Sequence, residues 1–158
     1  MLQFPLILDI FQSRFSSLGL PLDASVGYSF YDKKVSQWEY WTEKGIPEKL
    51  ETFDDNGLLD GKFIEYNEQG KVASAGSFKK GKPNGKWEYR YPFGGLLRTC
   101  SYKDGQFDGV SLQYAEKGQL VHETHYSKGK KDGWEIIFDE KSGKELSRKR
   151  YKNGELLK

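Results

Sequence analysis

The two histidines of the chain stand three residues apart, in the segment His122-Glu123-Thr124-His125. On a helix, histidines three or four residues apart can share a metal ion, and a neighbouring carboxylate can act as a general base. The surrounding stretch 120–126 is instead rich in β-branched and aromatic residues, which favours a strand. On a strand the side chains of His122 and His125 point to opposite faces, so they cannot bind one metal ion together. The segment therefore predicts neither a metal site nor a catalytic site.

The other residues capable of chemistry are isolated. Cys100 is the single cysteine, which excludes an intramolecular disulfide framework and a cysteine metal cluster. Gly94-Gly95 is not followed by a helical pattern, so it does not predict a phosphate-binding loop. Asp54-Asp55 has the composition of a turn. The sequence thus predicts a protein that is not an enzyme and that uses no cofactor.

A sequence repeat of about 24 residues, marked by glycines, runs from Ser36 to the C-terminus. In each unit the second glycine comes nine residues after the first, and the third comes eleven residues after the second. A period of this length is typical of repeat proteins, in which one supersecondary unit is copied and stacked. The clearest units are 61–84, 85–108 and 109–132, and a fourth begins at Gly133 with one extra residue before Gly143.

Each unit contains two extended stretches that are separated by glycine-containing turns. Residues 87–91 alternate aromatic and charged side chains, as strands with two different faces do. The loop between the stretches ends in glycine, as at Gly70 and Gly118, which supplies the positive φ of a hairpin. The joints between units end in Asn-Gly or Asp-Gly, the strongest short-range hairpin signal. The joints are the segments 57–61, 81–85, 105–109 and 129–133, so we expect every strand to reverse into the next.

In the second stretch of each unit, the residues two, four, six and eight places after the loop glycine share one face. The first and last of these columns are apolar or aromatic, so we expect them to form buried stripes. The middle columns vary, as positions facing solvent or a groove do. The three sets are Val72, Ser74, Gly76, Phe78; Leu96, Arg98, Cys100, Tyr102; and Leu120, His122, Thr124, Tyr126.

The repeat extends toward the N-terminus in weaker form. Ser36 aligns with Gly85, and the stretch 36–60 is a degenerate unit with one insertion. Residues 26–35 have the composition of the second half of a further unit. We therefore predict a mainly β fold, an elongated antiparallel β-meander over residues 26–158 with about ten short strands.

Residues 1–25 precede the repeats and follow a different pattern. Phe4, Leu8, Phe11 and Phe15 recur at helical spacing, and a glycine and a proline follow that would end a helix. We predict a short amphipathic helix and a linker that cap the first repeat, because repeat arrays need an atypical terminal unit. A helix lying on a membrane surface is the alternative, although the segment contains a single basic residue.

The formal net charge of +2 hides an uneven distribution. Between Glu39 and Glu68 nine acidic residues stand against three lysines, whereas residues 141–158 hold seven basic residues and two acidic ones. In an elongated array the two ends would carry charge of opposite sign. The simpler interpretation is that solvated lysines at turns and edges prevent aggregation. The N-terminal residues lack the basic start of a secretory signal, so we expect a cytoplasmic protein.

The pattern Tyr-x-x-x-Gly followed by Gly-Lys-x-x-Gly-x-[Trp/Phe] resembles the bacterial variant of the MORN repeat. The similarity spans roughly residues 28–158 and is best in 61–132. Chains of this kind are known as YwqK-like and are described as antitoxins of toxin–antitoxin systems. The resemblance implies a β-hairpin array that binds something, since MORN arrays serve in scaffolding, partner binding and association with membrane phospholipids.

The resemblance further implies a non-enzymatic protein that presents one face of its sheet to a protein partner. It would be an antitoxin or immunity-type protein that occupies the surface of a cognate toxin. Aromatic side chains beside charged ones suit such an interface. We therefore predict as contacts the residues Trp38, Tyr40, Trp41, Trp87, Tyr89 and Tyr91, each of which could instead belong to the core.

A peripheral membrane or phospholipid-associated scaffold is the alternative function. It would place Lys149, Arg150 and Lys152 against anionic lipid or an acidic partner. Stacking of nucleic-acid bases on the aromatics near Trp87 is a further option, but a thin sheet needs the same rings for its core, so we predict no specific nucleic-acid partner. The last strand could also pair with a second copy of the chain as an edge-strand homodimer.

Overall fold

The computed structural model describes residues 7–12, 24–30 and 33–158, with side chains from Lys33 onward. The described residues form one antiparallel β-sheet of fourteen strands. Among them there is no helix that could cross a membrane. The strands are β1 (Ile7–Gln12), β2 (Ala24–Phe30), β3 (Lys33–Trp41), β4 (Pro47–Phe53), β5 (Gly61–Tyr66), β6 (Val72–Lys79), β7 (Lys82–Arg90), β8 (Leu96–Lys103), β9 (Gln106–Phe107), β10 (Gly109–Tyr114), β11 (Leu120–Ser127), β12 (Lys130–Phe138), β13 (Glu145–Lys152) and β14 (Glu155–Leu156).

The strands pair in chain order, which confirms the predicted antiparallel meander. One local exception is the two-residue strand β9, which pairs with β8 while β10 also pairs with β8. Extensive contacts between the described strands are confined to neighbours in the sheet. The described part of the chain is therefore a single layer with a thin, distributed core.

The hairpin loops within units form as predicted, with glycine at positive φ. Gly70 has φ 71°, and its N–H donates to the Asn67 carbonyl at 2.8 Å. Gly118 has φ 88°, and its N–H donates to the Ala115 carbonyl at 2.8 Å. The Asn67 side-chain oxygen accepts two further backbone N–H groups within its loop. These local bonds fix the reversal between β5 and β6.

The joints between units reverse earlier than the Asn-Gly and Asp-Gly pairs predict. Lys80 and Gly81 have φ of 51° and 75°, the two consecutive positive values of a type I′ turn. Asn84-Gly85 lies instead inside β7. Of the predicted joint 81–85, only Gly81 lies in the turn, because the Lys80-Gly81 pair already supplies the two consecutive residues of positive φ four residues before Asn84-Gly85. The equivalent turns are Asp104-Gly105, Lys128-Gly129 and Asn153-Gly154.

The Asp-Gly aspartates connect neighbouring joints instead of making the turns. Each carboxylate accepts a hydrogen bond from the backbone N–H of the first turn residue in the next joint. In addition, the N–H of each turn glycine donates to a carbonyl of the preceding joint, as Gly81 does to Leu59 at 2.7 Å. The joints are thereby stacked along one side of the sheet. The carboxylate bonds are Lys80 N to Asp60 at 3.2 Å, Lys128 N to Asp108 at 3.1 Å and Asn153 N to Asp132 at 3.3 Å.

The backbone at Ser36 has the geometry of the repeat glycine with which it aligns. Ser36 has φ 61°, an uncommon value for a residue with a Cβ, at the position where Gly85 has φ 77°. The predicted single stretch 26–35 is divided, because β2 ends at Phe30 and β3 begins at Lys33. The strand β1 and the short strands β9 and β14 were not predicted and bring the number among the described residues to fourteen, against about ten predicted.

The amphipathic helix predicted within residues 1–25 is not found where the structure describes that segment. Residues Ile7–Gln12 form the strand β1, which pairs with β2 from Ile7 opposite Ser29 to Gln12 opposite Ala24. The helix prediction is wrong for these residues, and residues 1–6 and 13–23 lie outside the described part. A lone helix of this length is marginal in water, whereas the edge of β2 offers a full row of backbone partners.

The most buried positions of the second strands are the middle columns, not the outer ones. Ser74, Cys100 and Thr124 are 6 %, 1 % and 4 % exposed, whereas Val72 and Phe78 are half-buried. The prediction that the middle columns face solvent or a groove is therefore wrong for these three residues. Gly76, in one of these columns, leaves space that the Trp87 ring of the next strand fills, and a ring in that position excludes water from the column.

Candidate functional site

Alternation along the strands gives the sheet two faces, and cross-strand pairing shows which residues share each one. We name each face after one of its tryptophans. The Trp87 face includes the row Tyr40, Lys49, Glu65, Ser74, Tyr89 and Arg98. The Trp134 face includes the row Leu50, Ile64, Ala75, Glu88, Thr99, Leu112, Glu123, Ile136 and Arg148.

Two of the six predicted contact residues belong to the core. Trp38 and Trp87 are 1 % and 5 % exposed. The Trp87 ring centroid lies 5.5 Å from that of Phe63 and 5.3 Å from that of Phe78, and its Nε1–H donates to the Ser77 carbonyl at 3.2 Å. A partner could reach neither indole without repacking the sheet. The contact role predicted for these two tryptophans is therefore corrected to a structural one.

Tyr40 is half-buried and held between charged groups on the Trp87 face. Its hydroxyl donates to Glu51 at 2.7 Å and accepts from Lys34 at 2.6 Å. The ammonium groups of Lys34 and Lys49 lie 4.6 and 4.8 Å from the ring centroid. Burial raises the pKa of Tyr40, and the hydrogen bond to Glu51 raises it further. The side chain is thus a neutral, fixed ring whose remaining surface faces outward.

Tyr89 lies further along the same face, between an indole and a guanidinium. Its ring stacks on Trp87 with 6.2 Å between centroids, and the Arg98 guanidinium carbon lies 4.5 Å from the ring centroid on the adjacent strand. The Tyr89 and Tyr102 hydroxyls are 3.4 Å apart. Arg98 therefore covers the ring of Tyr89. The sequence did not predict this contact, because the residue type at the position of Arg98 differs from unit to unit.

Trp41 and Tyr91 lie at the loop end of the strands, and both are half-buried. The Tyr91 hydroxyl donates to the Tyr114 carbonyl at 2.9 Å, which ties two neighbouring hairpins together. Trp41 lies opposite Pro47 and lines a small depression with Tyr66. The structure therefore leaves four of the predicted contacts accessible in part: Tyr40, Trp41, Tyr89 and Tyr91.

A groove of about 670 Å³ opens between the loop 42–46 and the loop 67–70. Its apolar lining comes from Ile46, Pro47 and Tyr66. Carboxylates exceed ammonium groups around it, with Glu43, Glu48, Glu65 and Glu68 against Lys44 and Lys49. We call these residues the loop groove. Sequence reasoning missed it, and the available signal was the acidic excess between Glu39 and Glu68.

The two loops of the groove are fixed against each other. A Cβ added at Gly70 would lie 3.2 Å from Ile46 Cγ2 and 3.3 Å from Pro47 Cδ, so the second loop approaches the first at its glycine. The Thr42 hydroxyl accepts the Ile46 N–H at 3.1 Å and orders the first loop. The groove is therefore largely preformed, with an apolar wall and a negative rim.

The two histidines lie on opposite faces, as the strand assignment predicts. His122 Nε2 is 3.4 Å from Glu135 on the Trp87 face, whereas His125 Nε2 is 2.6 Å from Glu123 on the Trp134 face. Within the described residues no group of three or more metal-binding side chains comes together. Each histidine therefore contacts a different carboxylate.

Glu135 collects contacts from three adjacent strands on the Trp87 face. Lys131 of β12 donates to its carboxylate, the Tyr151 hydroxyl of β13 donates at 3.0 Å, and His122 of β11 lies at 3.4 Å. The hydrogen bond from Lys131 lowers the pKa of Glu135 against the opposing effect of burial. The carboxylate therefore acts as a charged link between strands.

The basic residues predicted for lipid or acidic-partner contact do not form one surface. Lys149 lies on the Trp87 face and Arg150 on the Trp134 face. The Lys152 ammonium pairs with the Asp132 carboxylate at 3.1 Å. A partner on one side of the sheet can contact only part of this set.

A comparison with known protein families matches two segments of the chain, and their spacing equals the repeat period of the glycines. The matched segments begin 24 residues apart and cover most of the hairpins β5–β6 and β7–β8. No curated protein matches the chain. Repeats of the matching family are binding modules for proteins or membrane lipids and are not catalytic. Residues 59–80 and 83–104 are similar to the MORN repeat variant.

Proposed function

We propose that the chain is a non-enzymatic binding module whose loop groove takes a basic, partly apolar segment of a protein partner. The observation that supports it is the combination of an apolar wall and four glutamates around a preformed groove. Ligand sites are typically concave, with apolar linings and a few placed polar groups. A peptide or loop with a lysine or arginine beside an apolar residue matches that combination.

The groove offers both energy and selectivity for such a partner. An apolar side chain that covers Pro47 and Tyr66 would remove their surface from water, worth about 25 cal/mol per Å². An arginine could stack on Tyr66 and pair with a glutamate of either loop, since a guanidinium is planar and weakly hydrated. The negative rim would also speed association with a positively charged partner.

The groove is continuous with two of the predicted contact residues. Lys49 lines the groove and also lies over the ring of Tyr40, and Trp41 enters the adjacent depression beside Tyr66. Tyr40 would therefore extend the interface onto the Trp87 face, and Trp41 would extend it along the loop end of the strands. Tyr and Trp are enriched among the residues that dominate binding energy.

The resemblance to YwqK-like chains supports a role of the antitoxin or immunity type. The module would neutralise a cytoplasmic toxin by occupying a basic part of its surface. Toxins that bind nucleic acid or acidic substrates carry such surfaces, because phosphate contacts require lysine and arginine. Blocking of this kind needs no reaction on the binding module.

A membrane-bound scaffold is the weaker alternative. It relied on an N-terminal helix and on Lys149, Arg150 and Lys152 acting together. Residues Ile7–Gln12 form a strand, and the three basic side chains divide between the faces or pair with an aspartate. The loop groove, in contrast, carries an acidic rim that an anionic bilayer would repel.

Reversing the charge of the groove tests the proposal. The double variant Glu43→Lys and Glu68→Lys should lose a partner that the wild-type chain captures from lysate of the native cell. Glu116→Lys is the matched control, because Glu116 occupies in the loop 115–118 the place of Glu68 in the loop 67–70. A partner captured equally by the groove variant and the wild type would contradict the groove as the binding site.

The antitoxin role needs a second experiment with the captured protein. Its expression alone should arrest growth, and co-expression of the wild-type chain should restore it, whereas co-expression of the groove variant should not. A captured partner that is harmless when expressed would leave the binding site intact and refute the antitoxin role.

A further inference from the structure

A tryptophan on the opposite face lies between two arginines near the C-terminal strands. Trp134 is 36 % exposed. The guanidinium carbons of Arg148 and Arg150 lie 5.2 and 5.4 Å from its ring centroid. Cross-strand pairing places Arg150 directly opposite Trp134. Cations over an indole face are attracted to it, so the ring is held against the sheet with its outer surface open.

The two arginines differ in how their charge is balanced. Arg148 pairs with both carboxylate oxygens of Glu145, at 2.9 and 2.6 Å. No carboxylate of the described residues forms an ion pair with Arg150. Arg150 therefore brings an uncompensated positive charge and free guanidinium donors next to exposed aromatic surface.

The surroundings extend this feature into a patch. Val110, 40 % exposed, lies opposite His125, and His125 is on β11 next to the strand that carries Trp134. We call Val110, His125, Trp134, Arg148 and Arg150 the arginine patch. It joins apolar, aromatic and cationic groups on a strand surface, the composition of the residues that dominate protein interfaces.

We propose that the arginine patch binds an acidic segment of a protein partner, with Trp134 as the apolar anchor and Arg150 as the carboxylate-binding group. A guanidinium can donate two parallel hydrogen bonds to one carboxylate, which fixes the position of the bound segment. The patch lies on the face opposite Tyr40 and has the charge opposite to that of the loop groove. It is thus a second surface that takes different chemistry.

Charge complementarity favours a peptide over an anionic bilayer as the occupant. The carboxylates of Glu123 and Glu145 lie within the patch, against the His125 imidazole and the Arg148 guanidinium. A bilayer presents a continuous negative surface that would repel them, whereas a peptide can place single carboxylates at the cations. Lys149, the basic residue between the two arginines, faces away.

The test uses a fluorescein-labelled decapeptide of glutamates with two central leucines, and its glutamine counterpart. Fluorescence anisotropy should show binding of the glutamate peptide to the wild-type chain and none of the glutamine peptide. Arg150→Gln should weaken binding at least about tenfold, equal to about 1.4 kcal/mol. Arg150→Lys should weaken it less, since it keeps the charge and loses the planar fork.

Lys149→Gln is the matched control, because it removes one charge from the same strand on the other face. It should change the affinity less than about twofold, far below one factor of ten. Equal losses in Arg150→Gln and Lys149→Gln would show unspecific charge attraction and overturn the proposal. Binding of the wild-type chain to phosphatidylserine vesicles without binding to the peptide, or no binding to the peptide, would overturn it as well. Thermal unfolding checks each variant, and Arg150→Lys decides if Arg150→Gln does not fold.

Discussion

The indole of Trp87 lies directly over Gly76. A Cβ at residue 76 would come within 2.2 Å of Trp87 Cδ2, far inside contact distance. Gly76 has no positive φ, unlike the turn glycines, so its backbone does not require glycine. The ring itself requires it, because the described strands form a single layer and Trp87 reaches 5 % exposure by lying on a bare stretch of backbone.

Gly76→Ala should therefore destabilise the fold by displacing the Trp87 ring. We expect a loss of about 1–3 kcal/mol in the free energy of unfolding, the usual cost of overpacking. Urea unfolding followed by tryptophan fluorescence measures it. Gly95→Ala is the control, because a Cβ there would meet its nearest neighbour at 3.6 Å, an ordinary contact. Equal stability of the two variants would contradict the account of this core.

Variants of Trp38 and Tyr40, which both lie on β3, distinguish a residue of the core from a residue available for contact. Trp38→Ala should cost about 3–5 kcal/mol in the free energy of unfolding, because it empties a site that is 1 % exposed. Tyr40→Phe keeps the half-buried ring and removes the hydrogen bond to Glu51, which should cost only about 1 kcal/mol. Chemical denaturation of both variants measures these two losses in the free energy of unfolding. A Trp38→Ala protein as stable as wild type would show that the indole is not part of the core.

Asp108 should stabilise the array through the backbone of the next joint. Asp108→Ala leaves the Lys128 N–H without its carboxylate acceptor at 3.1 Å, at a cost of about 0.5–1.5 kcal/mol. Asp108→Asn keeps an acceptor and should recover most of that loss. Amide hydrogen exchange at Lys128 provides the local measurement. Unchanged exchange in Asp108→Ala would mean that the carboxylate does not link the joints.

Glu135 should make stability depend on pH in the acid range. Its pKa is lowered in the folded state, chiefly by the hydrogen bond from Lys131, relative to about 4.3 in an unfolded chain. A depressed pKa stabilises the fold above the unfolded value, and this contribution is lost as the pH falls through the lower folded value. Glu135→Gln should therefore be less stable than wild type at pH 7, with the difference shrinking below about pH 4.

Urea midpoints measured from pH 7 to pH 3 test this dependence on Glu135. Glu140→Gln is the control, because that carboxylate is exposed in the loop after β12 and has no ion pair among those of the described residues. A constant difference between Glu135→Gln and wild type across the range would show that ionisation of Glu135 does not contribute.

The meander was predictable because its signals are local. Gly70 and Gly118 stand in loops whose positive φ depends on neighbours within four residues. The predicted joint 81–85 contains only Gly81 of the turn, because Lys80-Gly81 fits the same turn as Asn84-Gly85 and only the register between β6 and β7 decides. Register depends on the pattern of side chains along the whole face of a strand, and a dipeptide does not contain that information.

The candidate site was less predictable because it depends on neighbours in space. Ser74 and Cys100 are buried, and so are Trp38 and Trp87, whose rings pack against Tyr40 and against Phe63 and Phe78 respectively. The loop groove arises where two loops from successive units meet at Gly70. The sequence shows the acidic excess of that region but not the concave arrangement of its residues.

Amide hydrogen exchange of the chain with its captured protein partner tests the central claim most directly. The account predicts slower exchange on binding in the two loops and flanking residues of the groove, 42–49 and 65–70, while the loop 115–118 keeps its rate. Protection that leaves 42–49 and 65–70 unchanged and appears elsewhere on the sheet would contradict it.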